Sequence, residues 1–152
     1  MLSMWRGTAH LPGQPEEILA LLTDPYEIAR WSPVGFELVE CTGERLCSGS
    51  RARVRGELAG RRMEFTIAVH EASHDRLALV ASGPINLDVE YRVAPTACGS
   101  HVRAAVGVSG QGFIGRLIAR AAEALLAAGA LDHALSRIGR QLQPTTAPAL
   151  AA

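Results

Sequence analysis

The chain has 152 residues, 48% hydrophobic and 20% charged, with fifteen basic residues balanced by fifteen acidic ones. That length and composition suit one folded domain with a sizeable core and exclude a disordered chain. A net charge of zero gives no whole-molecule attraction to nucleic acid or anionic lipid, and no segment reaches the roughly eighteen apolar residues of a membrane span.

Residues 4–10, MWRGTAH, read as a first strand. After PGQP, Pro15 suits the first turn of a helix whose apolar face is Ile18, Leu19, Leu21 and Leu22. Asp24-Pro25 stops that helix, and 26–31 offer a second short one ending at Trp31.

From there the period changes to two. FELVE leads to a turn at Thr42-Gly43, and SRARVRGEL sets Arg51, Arg53 and Arg55 against Ala52, Val54 and Gly56. Ala59-Gly60 is a tight turn, after which Met63, Phe65, Ile67 and Val69 share a face. A turn at His74-Asp75, the strand RLALVAS and the break at Gly83-Pro84 follow. INLDVEYRV then alternates Ile85, Leu87, Val89, Tyr91 and Val93 against polar residues, and HVRAAVGVS points Val102, Ala104, Val106 and Val108 inward. Six strands joined by short turns predict an antiparallel meander, wet on one face and covered on the other.

The cover is a long helix over about residues 113–142. Ile114, Leu117, Ala121, Leu125, Ala128, Leu131, Leu135, Ile138 and Leu142 recur at three and four, which predicts one continuous inward stripe. Residues 143–152 have no periodicity and read as a disordered tail. The opening residues lack a signal-peptide run, so a cytoplasmic protein is expected. Cys41, Cys47 and Cys98 are odd in number and lack metal-ligand spacing. Reduced thiols, no metal and no cofactor are therefore expected; the state of Cys41 and Cys47, which could meet across a turn, stays open.

Strand, two short helices, six strands and a long helix, with DPYEIARWSP and MEFTIAVHEASHDRLALVAS, resemble the helix-grip (START-like, SRPBCC) superfamily over residues 3–142. Within it the pattern is similar to the polyketide cyclase/dehydrase-like and lipid-transport-like branch. The resemblance implies a single α+β domain whose curved sheet wraps the C-terminal helix and leaves a cavity for a hydrophobic molecule. Ala121, Ala124 and Ala128 on the helix, facing Ala52, Gly56 and Ala104, leave two outcomes open: closer approach or empty volume.

The expected lining is Phe36, Val54, Met63, Phe65, Ile67, Leu79, Leu87, Val89, Tyr91, Val106, Leu117 and Leu125. Trp31 stands at the mouth, as a core anchor or as a ligand neighbour. Tyr91 is the one inward polar group, bonding either a ligand or the backbone.

Other signals have plainer readings. His70 and Glu71 are strand neighbours, which point to opposite faces and so do not make an acid–base pair. The five arginines in 51–62 lack aromatic stacking partners and read as a solvated sheet face rather than an RNA footprint. GQGFIG, 110–115, is a helix start without the strand–turn–helix setting of a phosphate loop. Asp132 borders the helix stripe, at the surface rather than at the pocket edge it could reach.

The expected function is binding, transport or sequestration of a small hydrophobic molecule such as a lipid, polyketide or isoprenoid, by a monomer or homodimer. A metal-free aromatase/cyclase or dehydratase is the alternative, and a protein-interaction module the third. Neither a nucleic-acid partner nor integral membrane association is expected.

Overall fold

The computed structural model describes residues 3–31, 36–58 and 60–142, without the side chains of Ser3, Ala29, Arg30, Trp31 and Leu58. The expected tail and the Ala59 half of the tight turn lie outside the described residues.

Strand β1 (Ser3–Leu11) is followed by helices α1 (Pro15–Thr23) and α2 (Pro25–Trp31). Strands β2 (Phe36–Cys41), β3 (Arg51–Leu58), β4 (Arg61–Ala72), β5 (Arg76–Ser82), β6 (Ile85–Thr96) and β7 (Gly99–Gly110) then form the meander. Helices α3 (Gly112–Ala127) and α4 (Ala130–Leu142) follow. The seven strands make one antiparallel sheet in the order β1-β7-β6-β5-β4-β3-β2, so α1 and α2 carry the chain from one edge to the other. This is the α+β helix-grip arrangement of strand, two short helices, six-strand meander and C-terminal helical segment.

Local chemistry fixes the crossing. Glu17 Oε1 accepts a hydrogen bond from the Gln14 N–H at 3.3 Å, and Pro15 opens α1 without losing a donor the helix would use. Asp24 then does two jobs. It ends α1 in extended geometry, and its Oδ1 accepts from the Tyr26 N–H at 3.0 Å to cap α2.

The C-terminal carbonyls of α1 are taken up from the β2–β3 loop. Arg45 Nη1 donates to the Ala20 carbonyl at 2.9 Å, and the Leu46 N–H donates to the Thr23 carbonyl at 2.8 Å. That strap drives Leu46, the one leucine of the loop, into the core.

Two expectations need correction. The C-terminal helix is divided: Gly129 adopts φ 94°, a left-handed conformation open to glycine, and separates α3 from α4. The inward stripe holds for α4, where Leu131, Ala134, Leu135 and Ile138 are buried, but slips on α3. There Gly115, Ile118, Ala119 and Ala122 face the sheet, while Ile114, Leu117 and Leu125 are exposed.

The cause of the slip is a close approach at the start of α3. A Cβ on Gly110 would stand 2.4 Å from the Gly115 carbonyl oxygen, so the small residues settle against β7 and the larger ones turn outward. As read from the sequence, His70 and Glu71 do not form a pair facing the core: a bulge between Val69 and Glu71 interrupts β4. Val69 is buried, yet Glu71 joins Arg76 in an ion pair rather than pointing into the core, and His70 is exposed.

The outer face of the sheet is cross-linked by charge. Arg53 bridges Glu40 at 2.9 Å and Glu64 at 2.8 Å, Arg55 reaches Glu37 and Glu64, and Arg76 pairs with Glu71 and Glu90. The arginine run of 51–62 is thus partly neutralised by carboxylates on β2 and β4.

Candidate functional site

A cavity of about 300 Å³ lies between the inner face of the sheet and the helices. This is the lower end of the range for small-molecule sites. Its floor follows from strand alternation: Phe36 on β2, Val54 on β3, and Met63, Phe65 and Ile67 on β4. The floor continues with Leu79 on β5, with Leu87, Val89 and Tyr91 on β6, and with Val106 on β7. Leu125 reaches it from α3. The small residues Ala52 and Gly56 lie in the same wall, so empty volume is the outcome here, while close approach is the outcome at Gly110.

Of the thirteen expected residues one stands elsewhere, and one side chain lies outside the described residues. Leu117 is 54% exposed and does not border the cavity, because the register of α3 turns it outward. The position of the Trp31 side chain lies outside the described residues, although its backbone ends α2. Likewise Ala121, Ala124 and Ala128 give way to Ala122, Ala130 and Ala134 as the small helical residues in the lining. Ala104 is buried in the core beside the cavity rather than lining it.

Sequence reading missed one whole wall. Leu22, Pro25 and Ile28 of the short helices close it, with Leu46 from the loop strap. The available signal was Leu46 itself: a single leucine within the polar stretch TGER-CSGS is exposed without reason unless it inserts somewhere.

Among the described residues, two polar residues border this lining, Tyr91 and Glu57. Tyr91 is 4% exposed, and burial pushes its phenol well above the usual range, so it is neutral at any physiological pH. Glu57 is exposed and, with Leu125, marks where the lining reaches solvent.

The two polar groups do not converge. Tyr91 pairs with Leu77, which pairs with Ala72 on β4, whereas Glu57 pairs with Arg62 on the same strand. Ten residues of strand separate those rows, on the order of 30 Å. One ligand atom cannot touch both. Among the described residues no group of three or more His, Cys, Asp or Glu is placed to hold a metal, and no helix is long and apolar enough to cross a membrane.

Known structures share this architecture. Protein CV1439 from Chromobacterium violaceum superposes with a TM-score of 0.68 at 18% identity, covering 93% of this chain and 99% of that one. TTHA0849 from Thermus thermophilus gives 0.67 at 16%, covering 91% and 96%. The Zhui aromatase/cyclase from Streptomyces sp. R1128 gives 0.66 at 13%, covering 94% and 97%. At such identities the likeness is one of fold. No curated protein sequence matches the chain. The family described as polyketide cyclase / dehydrase and lipid transport matches residues 5–143. The chain therefore belongs to that family, within the START-like (SRPBCC) superfamily.

Proposed function

We propose that the protein binds a small, almost wholly apolar molecule non-covalently, for carriage or sequestration, in the cavity between sheet and helices. The observation that carries this reading is the lining: among the described residues it is aliphatic and aromatic from β2 to α4, with one buried phenol and one glutamate at the rim. Apolar burial drives such binding at about 25 cal/mol per Å² before the cost of ordering both partners.

The same lining bears on ligand class. A polyketone chain carries a carbonyl at every second carbon, and each one buried without a donor costs roughly 1–3 kcal/mol. A cavity with one phenol satisfies at most one of them. Hydrocarbon, acyl or isoprenoid chains with a single polar end fit this wall better.

The cyclase or dehydratase reading keeps some support from the family and from the fold shared with an aromatase/cyclase. It requires two polar groups acting on one ligand position, and Tyr91 and Glu57 lie far apart along the sheet. Simple binding is therefore favoured.

Native mass spectrometry of gently purified protein tests the proposal, backed by titration with a fluorescent fatty acid. A retained lipophilic mass, or saturable uptake abolished by Ala81→Phe in the cavity wall, is the expected result. A protein that is empty and takes up no fluorescent fatty acid overturns it.

A further inference from the structure

The outer side of α3 does not look like an ordinary wet surface. Phe113 is 84% exposed, Ile114 53%, Leu117 54% and Leu125 40%. Phe113, Leu117, Ala121 and Leu125 are spaced by four, so they form one row along the helix, about 18 Å long. The opposite side of α3 is also apolar, with Ile118, Ala119 and Ala122 against the sheet. A helix apolar on both sides is normally covered on both.

The charges beside the row indicate what covers it. Arg116 and Arg120 follow Phe113 and Leu117 by three residues, and both are exposed. Neither has a hydrogen bond or ion pair among the described residues, in contrast to Arg53, Arg55, Arg76 and Arg92 on the sheet. A second copy meeting this face across a two-fold axis would set arginine row near arginine row. Glu123, the one carboxylate of α3, already has a partner. A bilayer rich in anionic lipid satisfies both elements at once: the apolar row enters the headgroup boundary while the guanidinium groups reach phosphates. The protein's zero net charge does not oppose this, because the attraction is local to α3 and falls off within a Debye length.

We propose that α3 docks peripherally on an anionic lipid surface through Phe113, Ile114 and Leu117, held by Arg116 and Arg120. Leu125 ends the row and also lines the cavity, so docking brings the cavity rim to the apolar phase. The docking surface stands on the helix alone and holds whether or not the cavity carries a ligand.

Flotation of the full chain with vesicles tests it, comparing pure phosphatidylcholine with a 7:3 mixture of phosphatidylcholine and phosphatidylglycerol. The protein is expected to float with the mixed vesicles and to be released by 1 M salt. Arg116→Gln and Arg120→Gln each weaken binding about fivefold. Phe113→Ser weakens it on the order of tenfold, and with Leu117→Ser abolishes it. Phe113→Ser alone, with an unchanged thermal midpoint, guards against a double variant that fails to fold.

Wild-type protein that stays with the soluble fraction overturns the proposal. So does equal binding to both vesicle types with no effect of the arginine substitutions. A solution dimer dissociated by Phe113→Ser would assign the face to a second copy and also overturn it. Failure of ligand uptake with intact flotation would count against the cavity reading alone.

Discussion

The two C-terminal helices differ more than their shared periodicity suggests. On α4, four residues from Leu131 to Ile138 are buried and Asp132, His133, Ser136 and Arg137 face water. On α3 the buried face is built of Gly115, Ala119 and Ala122 around Ile118, and the larger side chains face out. The α4 helix is an anchor, packed with α1 and β6 residues into the main core cluster. The α3 helix rests lightly on a second, smaller cluster around Ile85 and Val108. A division of labour follows: one helix supplies stability, and the other is free to present a surface.

The largest effects should separate the two. Ile138 is fully buried, so Ile138→Ala is expected to cost about 2–5 kcal/mol in urea denaturation. Leu117→Ala, a deletion of similar size on the exposed side of α3, should stay within about 0.5 kcal/mol. Equal losses at both sites would erase the distinction between anchor and surface helix.

The strands were legible because their period is two and each has one wet face; the alternating runs from Val54 to Val106 point as their spacing requires, apart from the bulge after Val69. The order of elements was legible too, through Asp24-Pro25 and the turn residues. The α3 register was not. With leucine, isoleucine and alanine around most of that helix, a pattern of apolar spacing selects no unique face, and the contact between Gly110 and Gly115 decides it. That contact joins backbone to backbone and leaves only two glycines as a trace. The loop strap at Leu46 was missed for a related reason: it depends on Arg45 and Leu46 meeting the end of α1, some twenty-five residues earlier in the chain.

The glycine contact gives a second way to probe the difference. Gly110→Ala would place a methyl 2.4 Å from the Gly115 carbonyl oxygen, which no rotamer relieves. A loss of about 1–3 kcal/mol is expected, the usual cost of overpacking. Because α3 must move rather than α4, fluorescent fatty-acid uptake should change along with stability. A neutral Gly110→Ala would mean that the seat of α3 is already loose.

Tyr91 belongs to the α4 side and offers a smaller, pH-dependent effect. Burial raises the phenol pKa in the folded protein above its unfolded value of about 10. The neutral phenol therefore favours the folded state fully below that pH, and the advantage falls by about 1.4 kcal/mol per unit as pH rises past it. Denaturation at pH 9 and pH 11 should show wild type losing more stability than Tyr91→Phe. Parallel curves would indicate that the phenol is more open to water than its 4% exposure implies.

The smallest expected effect concerns arginines that differ in company rather than in charge. Arg53 sits on the outer sheet face between Glu40 and Glu64, and both carboxylates push its already high pKa higher. Being exposed, that bridge is screened by solvent and restricted by side-chain entropy, and such pairs add little to stability. Arg53→Gln should leave the denaturation midpoint unchanged within measurement error. It should also leave vesicle flotation unchanged, because two carboxylates already hold this guanidinium on the sheet's outer face. Arg116→Gln removes the same formal charge from α3 and is expected to weaken flotation about fivefold. If both substitutions reduce flotation equally, the attraction is a diffuse property of total charge, and α3 loses its claim to a distinct surface.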